Sequence, residues 1–350
     1  MKKLLALVMT IVILAISCIS FISCKDTSHD ININVNVGGT TTTTTTTTNN
    51  GSVNIPNNPS NAKYEIGICQ LVQHAALDQA TQGFIDTLKA EFGDDIAFDF
   101  QNASGDTNVC NTIVNSFINK DVDLIMANAT PALQAAYNAT ETIPILGTSI
   151  TEYGVALGLK NFNGTVGENV SGTSDLASLK KQAEMIVEVC PDVKSVGIIY
   201  CTAEANSKYQ VQEMTKHLSN LGVTVNPYPF ADSNEISAIV NAAAICDAIY
   251  IPTDNTAASC AETIGNIVRD KKIPVFTGEE NVAKVCGVAS LSISYYDLGV
   301  QTGKMAIKVL KGEADISTMP VEYAPASKKF NKEMCELLGI TVPSGYDEIK

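Results

Sequence analysis

The chain is predicted to fold as α/β, in two doubly wound parallel-sheet lobes joined by a three-stranded hinge. Three observations predict it. From Lys63 onward, short apolar runs rich in Ile and Val alternate with helical stretches, the pattern of parallel strands buried on both faces. After a polar interval the alternation starts again, with corresponding strands offset by roughly 125–130 residues, a tandem repeat of one α/β unit. The C-terminal part breaks the count, with segments that pass back and forth between the halves.

In order, a strand is expected over Tyr64–Val72 and a helix from about Ala76 to Phe92. A strand at Ile96–Phe100, a helix near Asn108–Asn119, a strand at Leu124–Asn128, a helix from Pro131 and a strand at Ile143–Thr148 complete the first half. A polar stretch over Asn161–Ser174 and a helix at Ala177–Val189 lead to second-half strands at Ser195–Tyr200, Val223–Tyr228, Ala248–Pro252 and Pro274–Thr277. Ile143-Pro144-Ile145-Leu146-Gly147 is answered by Ile273-Pro274-Val275-Phe276-Thr277. In the tail, Ala289–Ile293 reads as a crossing strand, Gly299–Leu310 as a helix returning to the first lobe, Val321–Tyr323 as a second return and Asn331–Leu338 as a closing helix. The expected division is 62–172 plus 292–321 for lobe 1, and 173–291 plus 322–350 for lobe 2. Crossings near 170–176, 288–294 and 320–324 suit a closing clam shell.

The N-terminus sets the compartment. Met1-Lys2-Lys3 and the apolar run Leu4–Ile22 read as a signal peptide over 1–23 rather than a spanning helix, because small residues and cysteines interrupt its far end. Cys24 is the expected lipidation site, since everything after it is hydrophilic; Cys18 is the alternative. Residues 24–61, with a threonine run from Thr40 to Thr48 and Asn/Gly/Pro-rich flanks, carry too little apolar surface to offset ordering entropy. They are expected to be a disordered tether holding the folded part clear of a membrane.

Composition narrows the function. Hydrophobic residues make up 45% and charged residues 17%, which is globular, and a formal charge of −14 with Arg269 as the single arginine argues against nucleic-acid binding. The cysteines after Cys24, at 69, 110, 190, 201, 246, 260, 286 and 335, form no Cys-x-x-Cys pair and sit mostly in apolar settings. They read as small buried hydrophobes, with one or two disulfides left open. Gly-x-Ser-x-Gly, His-Glu-x-x-His and phosphate-cradling glycine loops are all absent, and one of the three histidines, His29, lies in the tether. No enzyme activity, no metal and no cofactor are expected.

Two such lobes imply a cleft lined by the loops at the carboxyl ends of the strands. The polar residues on those loops are the candidate ligand-binding set: Gln70, His74, Thr130, Ser149, Asp175, Asn206, Thr253, Asp254, Asn255, Glu279, Glu280 and Tyr295. Several would serve equally well as helix caps, a role that competes with ligand contact. Arg269 falls within a helix, so no arginine fork is available to clamp a carboxylate. A ligand carboxylate would rest on hydroxyls and helix N-termini, such as Thr130 and Ser149, while Asp175, Asp254, Glu279 and Glu280 offer partners for an ammonium. Both ends of a zwitterion are provided for. The lack of Trp counts against a carbohydrate, and Tyr295 and His74 are placed to flank a flat ligand.

The stretch Ile66-Gly67-Ile68-Cys69-Gln70-Leu71-Val72-Gln73-His74 resembles the opening strand of a family of ABC-transporter substrate-binding lipoproteins. Further matches are Ala129-Thr130-Pro131-Ala132, Gly172-Thr173-Ser174-Asp175, Glu204-Ala205-Asn206-Ser207, Tyr250-Ile251-Pro252-Thr253-Asp254-Asn255-Thr256, Gly278-Glu279-Glu280 and Tyr295-Tyr296-Asp297-Leu298-Gly299. The resemblance runs from about residue 63 to 343; Ala75 departs from it, standing where the family more often has proline. It implies the type I periplasmic-binding-protein fold, an extracytoplasmic and membrane-anchored solute-binding role, and an ABC permease with its ATPase as partners. Family members with assigned ligands bind tryptophan or phenylalanine, so an aromatic amino acid is the expected cargo. A sensor module for a membrane receptor, or a nucleoside or sugar ligand, are the alternatives.

Overall fold

The computed structural model describes residues 53–350. The expected signal peptide, the lipidation site at Cys24 or Cys18 and most of the expected tether lie outside the described residues. Among the described residues, no helix is long and apolar enough to cross a membrane.

The first lobe is built from β1 (Tyr64–Gln70), α1 (Ala75–Phe92), β2 (Ile96–Asn102), α2 (Thr107–Lys120), β3 (Leu124–Asn128), α3 (Thr130–Ala139), β4 (Ile145–Ile150), α4 (Tyr153–Leu157) and β5 (Val170–Ser174). The second takes α5 (Leu179–Val189), β6 (Ser195–Cys201), α6 (Ala205–Asn220), β7 (Thr224–Phe230), α7 (Ile236–Ala243), β8 (Ala248–Ile251), α8 (Asn255–Ser259), α9 (Ala261–Lys271), β9 (Val275–Thr277), α10 (Glu280–Cys286) and β10 (Ala289–Ser292). The chain then forms α11 (Tyr295–Leu310), β11 (Glu322–Tyr323), β12 (Ser327–Phe330), α12 (Lys332–Leu338) and β13 (Asp347–Glu348).

The first sheet has the order β11-β5-β4-β3-β1-β2 and every neighbouring pair is parallel. The second has the order β13-β12-β10-β9-β8-β6-β7, parallel except for the β10–β12 pair. The central orders β5-β4-β3-β1-β2 and β10-β9-β8-β6-β7 are the same path walked twice. Strand side chains alternate between the two faces of a sheet, and both faces are covered. In β3, Leu124 and Met126 join one apolar cluster with Ile66, Ile68 and Phe84, while Ile125 and Ala127 join another with Phe117 and Leu133.

The chain passes between lobes three times, at 175–178, 293–294 and 324–326. The first sheet continues through Ser174 and takes in Glu322–Tyr323, so the crossings fall a residue or two beyond the boundaries read from the sequence. The long helix of the tail also starts earlier than expected. Ser294 accepts a hydrogen bond from the Asp297 N–H and starts α11 at Tyr295, where an aromatic pair after an apolar run reads as strand. This matters for the site, because α11 packs along α1 by near contact of backbones. A Cβ on Gly299 would stand 1.9 Å from the Ala80 carbonyl oxygen, and one on Gly83 would stand 2.2 Å from that of Tyr296. The pair aligns two N-termini, with His74 at one and Tyr295 at the other.

The expected tether ends sooner than its composition implies. Residues 53–61 lie on the first lobe, with Val53 and Ile55 half-buried against its core. The Asn58 amide donates to the Phe98 carbonyl and accepts from the Phe98 N–H, both at 2.8 Å, as a neighbouring strand would. Phe98 sits on the edge strand β2, so one side chain covers part of an edge otherwise open to pairing. The eight cysteines of the described residues are all unpaired, six of them buried.

Candidate functional site

The carboxyl ends of the strands in both sheets face each other across a narrow cavity. Its lining comes from the first lobe (His74, Leu77, Ser149, Thr151), from two crossings (Asp175, Tyr295) and from the second lobe (Asn206, Pro252, Thr253, Asp254, Asn255, Ala258, Glu279, Val282). The lobes are closed on it, leaving a cavity of about 10 Å³, room for about one water molecule. Side chains meet across the cleft: His74 Nε2 lies 3.3 Å from Asn255 Oδ1, Thr151 Oγ1 lies 3.1 Å from Thr253 Oγ1, and Gln79 donates to Asn281 at 3.3 Å. A second cavity of about 230 Å³ shares His74, Ala258, Glu279 and Val282 with the first, and extends it past Ala75, Ala261 and Val285.

Three acidic residues of the second lobe are engaged as caps. Asp254 accepts the Cys201 N–H at 2.6 Å and, as N-cap of α8, the Ala257 N–H at 2.8 Å. Glu204 reinforces the same helix start, accepting from the backbone and side chains of Asn255 and Thr256. Glu279 is the N-cap of α10, accepting from the N–H groups of Asn281 and Val282 at 2.7 and 2.8 Å. Capping favours each carboxylate. Burial outweighs it, raising Asp254 to about 7 with help from the neighbouring Glu204 charge, and Glu279 to about 7. Asp254 and Glu279, expected to offer partners for a ligand ammonium, thus also serve as helix caps. Both stand in the lining, but the oxygens of each carboxyl already serve the helix behind it.

What the fold leaves without a partner is more telling, because a buried polar atom is almost always hydrogen-bonded. Among the described residues four buried side-chain atoms have none; Asp175 Oδ1, Ser149 Oγ and Asn206 Oδ1 belong to residues that line the cavity, and the fourth, Asn128 Oδ1, does not. Those three come from a crossing, from the first lobe and from the second lobe. The other Asp175 oxygen accepts the Tyr295 hydroxyl at 2.8 Å, and burial raises this carboxyl to about 6. Ser149 sits at an irregularity in the β4–β5 pairing with φ of 56°, a left-handed conformation that costs a non-glycine residue energy and turns the chain end toward the cleft. The Asn206 amide nitrogen donates to Glu204 Oε2, Ser207 Oγ and the Thr253 carbonyl. His74 is held neutral, its pKa lowered to about 4 chiefly by burial.

Three residues of the candidate set lie elsewhere. Gln70 is inside the first lobe, donating to the Val72 carbonyl and Asp78 and accepting from Thr81, because its position on β1 points into the packing under α1. Thr130 is buried at the start of α3, behind the lining. Its neighbour Ala129 donates its N–H to the Thr148 carbonyl at 3.1 Å, which sets the first turn of α3 beside Ser149. Glu280 opens α10, its N–H held by Ser292 Oγ. The lining residues absent from that set are Leu77, Thr151, Pro252, Ala258 and Val282. Leu77 and Val282 follow His74 and Glu279 by three residues, the helical spacing that puts both on one face, so the signal was there.

Residues 65–346 match the family model of the ABC transporter substrate binding protein. The chain is 38% identical to a tyrosine-binding protein of Clostridioides difficile over 266 residues, 75% of this chain and 76% of that one. It superposes on a Streptococcus pneumoniae ABC domain in complex with L-Trp with TM-score 0.78 and 34% identity, covering 82% of this chain and all of the other. A substrate-binding protein with adhesive properties from Clostridium difficile, in its ligand-free open form, gives TM-score 0.63 at 37% identity over 82% of this chain and 99% of that one. Two lobes of mostly parallel sheet, crossed three times, have the type I periplasmic-binding architecture of these relatives, and the chain belongs to the ABC transporter substrate-binding protein family.

Proposed function

We propose that this protein captures an aromatic amino acid between its lobes and delivers it to an ABC permease and its ATPase, from outside the cytoplasm and held to a membrane through lipid on Cys24. The observation that carries the reading is the set of three unpartnered atoms. Asp175 Oδ1 and Asn206 Oδ1 suit an α-ammonium. Ser149 Oγ, beside the first turn of α3, suits a carboxylate. The ring would extend over Leu77, Ala258 and Val282 into the second cavity, where Ala75, Ala261 and Val285 are the apolar part of a lining that also holds Gln73, Ser259, Glu262 and Asn281.

A ligand touching all three atoms ties both lobes to a crossing, and so shifts the population toward the closed form that a permease can recognise. The closed cavity is too small for an amino acid, so the lobes part to admit one and settle around it. Superposition supports the two-state picture: the L-Trp complex is matched better than the ligand-free open structure, although the latter has the higher identity. No bond is made or broken in the ligand. In support, two of the cavity's three acids, Asp254 and Glu279, serve as helix caps, and Asp175 alone keeps an unpartnered oxygen.

A thermal-shift screen against amino acids, nucleosides and sugars tests the reading. A ligand at about a hundredfold over its dissociation constant adds about 2.7 kcal/mol. A rise with tryptophan, tyrosine or phenylalanine alone is the expected result. A flat response to amino acids with a rise for a nucleoside or sugar overturns the cargo.

A further inference from the structure

We propose that the ammonium is the anchoring group of the ligand and its carboxylate is dispensable, so that aromatic primary amines and aromatic amino-acid amides are ligands as well. The inference rests on the reading above and goes further, to the chemical class that the site accepts.

Two of the three unpartnered atoms are acceptors that cannot reverse role. An ionised carboxylate only accepts, and Asp175 already has one oxygen filled by Tyr295. The Asn206 amide is oriented by its surroundings, because its nitrogen faces the Glu204 carboxylate at 3.1 Å and the Thr253 carbonyl at 2.9 Å. A flipped amide would set oxygen against oxygen at both, so the oxygen is what the cavity meets. The third atom, Ser149 Oγ, donates or accepts as required. Among the unpartnered atoms a cation thus finds two acceptors, one of them charged, while an anion finds one hydroxyl beside the start of a helix; the Thr151 and Thr253 hydroxyls of the lining are bonded to each other across the cleft.

The wider lining has the same bias. Among the described residues no Lys or Arg lines the cavity, and Arg269 donates its guanidinium to the Val285 carbonyl at 2.5 Å. His74 brings no charge at neutral pH. Asp254 and Glu279 stand in the wall, with Glu204 behind it, and in their ionised forms they favour a cation and oppose a carboxylate. Hydrogen bonds at either end of a zwitterion are charge-assisted, but only the ammonium meets an opposite charge, on Asp175, which places most of the polar affinity at that end.

Calorimetry on the full chain in detergent, in two series, tests this: tyrosine, tyrosine amide, tyramine and 3-(4-hydroxyphenyl)propanoate, and the matching indole compounds. In the series whose amino acid binds, the amide is expected within about tenfold of it and the amine within about a hundredfold. The deaminated acid is expected to give no saturable heat. A deaminated acid within about tenfold of the amino acid, or an amide weaker by more than about a hundredfold, overturns the inference and leaves the capture reading standing. Absence of binding by both amino acids and all their derivatives overturns the two together. Asp175→Asn keeps an acceptor for Tyr295 and should weaken the amine and amide by at least about a hundredfold at a ligand-free melting temperature no lower than that of the wild type; unchanged amine affinity in that folded variant counts against the anchor.

Discussion

The Tyr295 hydroxyl donates to Asp175 Oδ2 at 2.8 Å, joining two of the three chain crossings at the back of the cavity and leaving Asp175 Oδ1 facing it without a partner. The bond fixes the carboxylate's orientation before any ligand arrives. Tyr295→Phe should therefore weaken the ligand by about tenfold through lost positioning, while Asp175→Ala should weaken it by about a hundredfold or more. Isothermal titration of the two variants reads the difference. Equal losses would mean that the hydroxyl itself touches the ligand.

Asp254→Ala and Glu279→Ala should behave differently, as losses of stability. Each removes an N-cap, worth about 0.5–2 kcal/mol, and Asp254→Ala also strands the buried Cys201 N–H. Denaturant unfolding without ligand should show both losses, the larger for Asp254. A wild-type unfolding curve with a large affinity loss would show these carboxylates to be ligand partners.

Stability and affinity should respond to pH in opposite directions. In the folded protein Asp175 stands at about 6 and Asp254 and Glu279 at about 7, all raised above their unfolded values, so the folded state holds protons that the unfolded state has released. Their penalty is fully present above about pH 7 and is relieved as pH falls toward 5. His74, lowered to about 4, works the other way below about 6.5, one group against three. Ligand-free stability should thus rise from pH 8 to pH 5, while affinity, which needs Asp175 ionised, should rise from pH 5 to pH 7. Unfolding and titration series across that range check both trends.

The N-terminal strap should be part of the folded unit. Asn58→Ala leaves the Phe98 N–H and carbonyl on an open edge, at a cost of about 1 kcal/mol and a fall of a few degrees in melting temperature. Removing residues through 61 should cost more, because Val53 and Ile55 leave the core with it. Differential scanning calorimetry of the two variants measures the order.

Gly299→Ala tests the packing that aligns His74 with Tyr295. The new Cβ meets the Ala80 carbonyl oxygen at 1.9 Å, so α11 must shift from α1, costing about 1–3 kcal/mol and weakening the ligand by displacing Tyr295. A variant with normal stability and affinity would show that the helices tolerate separation.

Most of the fold was legible because its strands are buried on both faces, and runs such as Leu124–Asn128 stand out without tertiary information. The strand-end rule led to His74, Ser149, Asp175 and Asn206 for the same reason, since position along a strand follows from its apolar run. It could not separate Asp175 from Asp254. Both are acids at strand ends, and only the direction of their oxygens, set by α8 and by Tyr295, distinguishes a cap from a free acceptor. Gln70 lies away from the cavity because its inward face is decided by register against Asn128 and by the packing of α1. The strap was hidden by averaging. Its Asn-rich composition reads as tether, yet two apolar residues and one amide bind a specific edge.

The most direct test of the account is a calorimetric titration of tryptophan, tyrosine and phenylalanine into the wild-type chain and into Asp175→Asn. Saturable one-site binding of at least one of them to the wild type is expected, weakened by about a hundredfold or more in the variant at a ligand-free melting temperature no lower than that of the wild type. No binding to the wild type, or equal affinity in the two proteins, would contradict it.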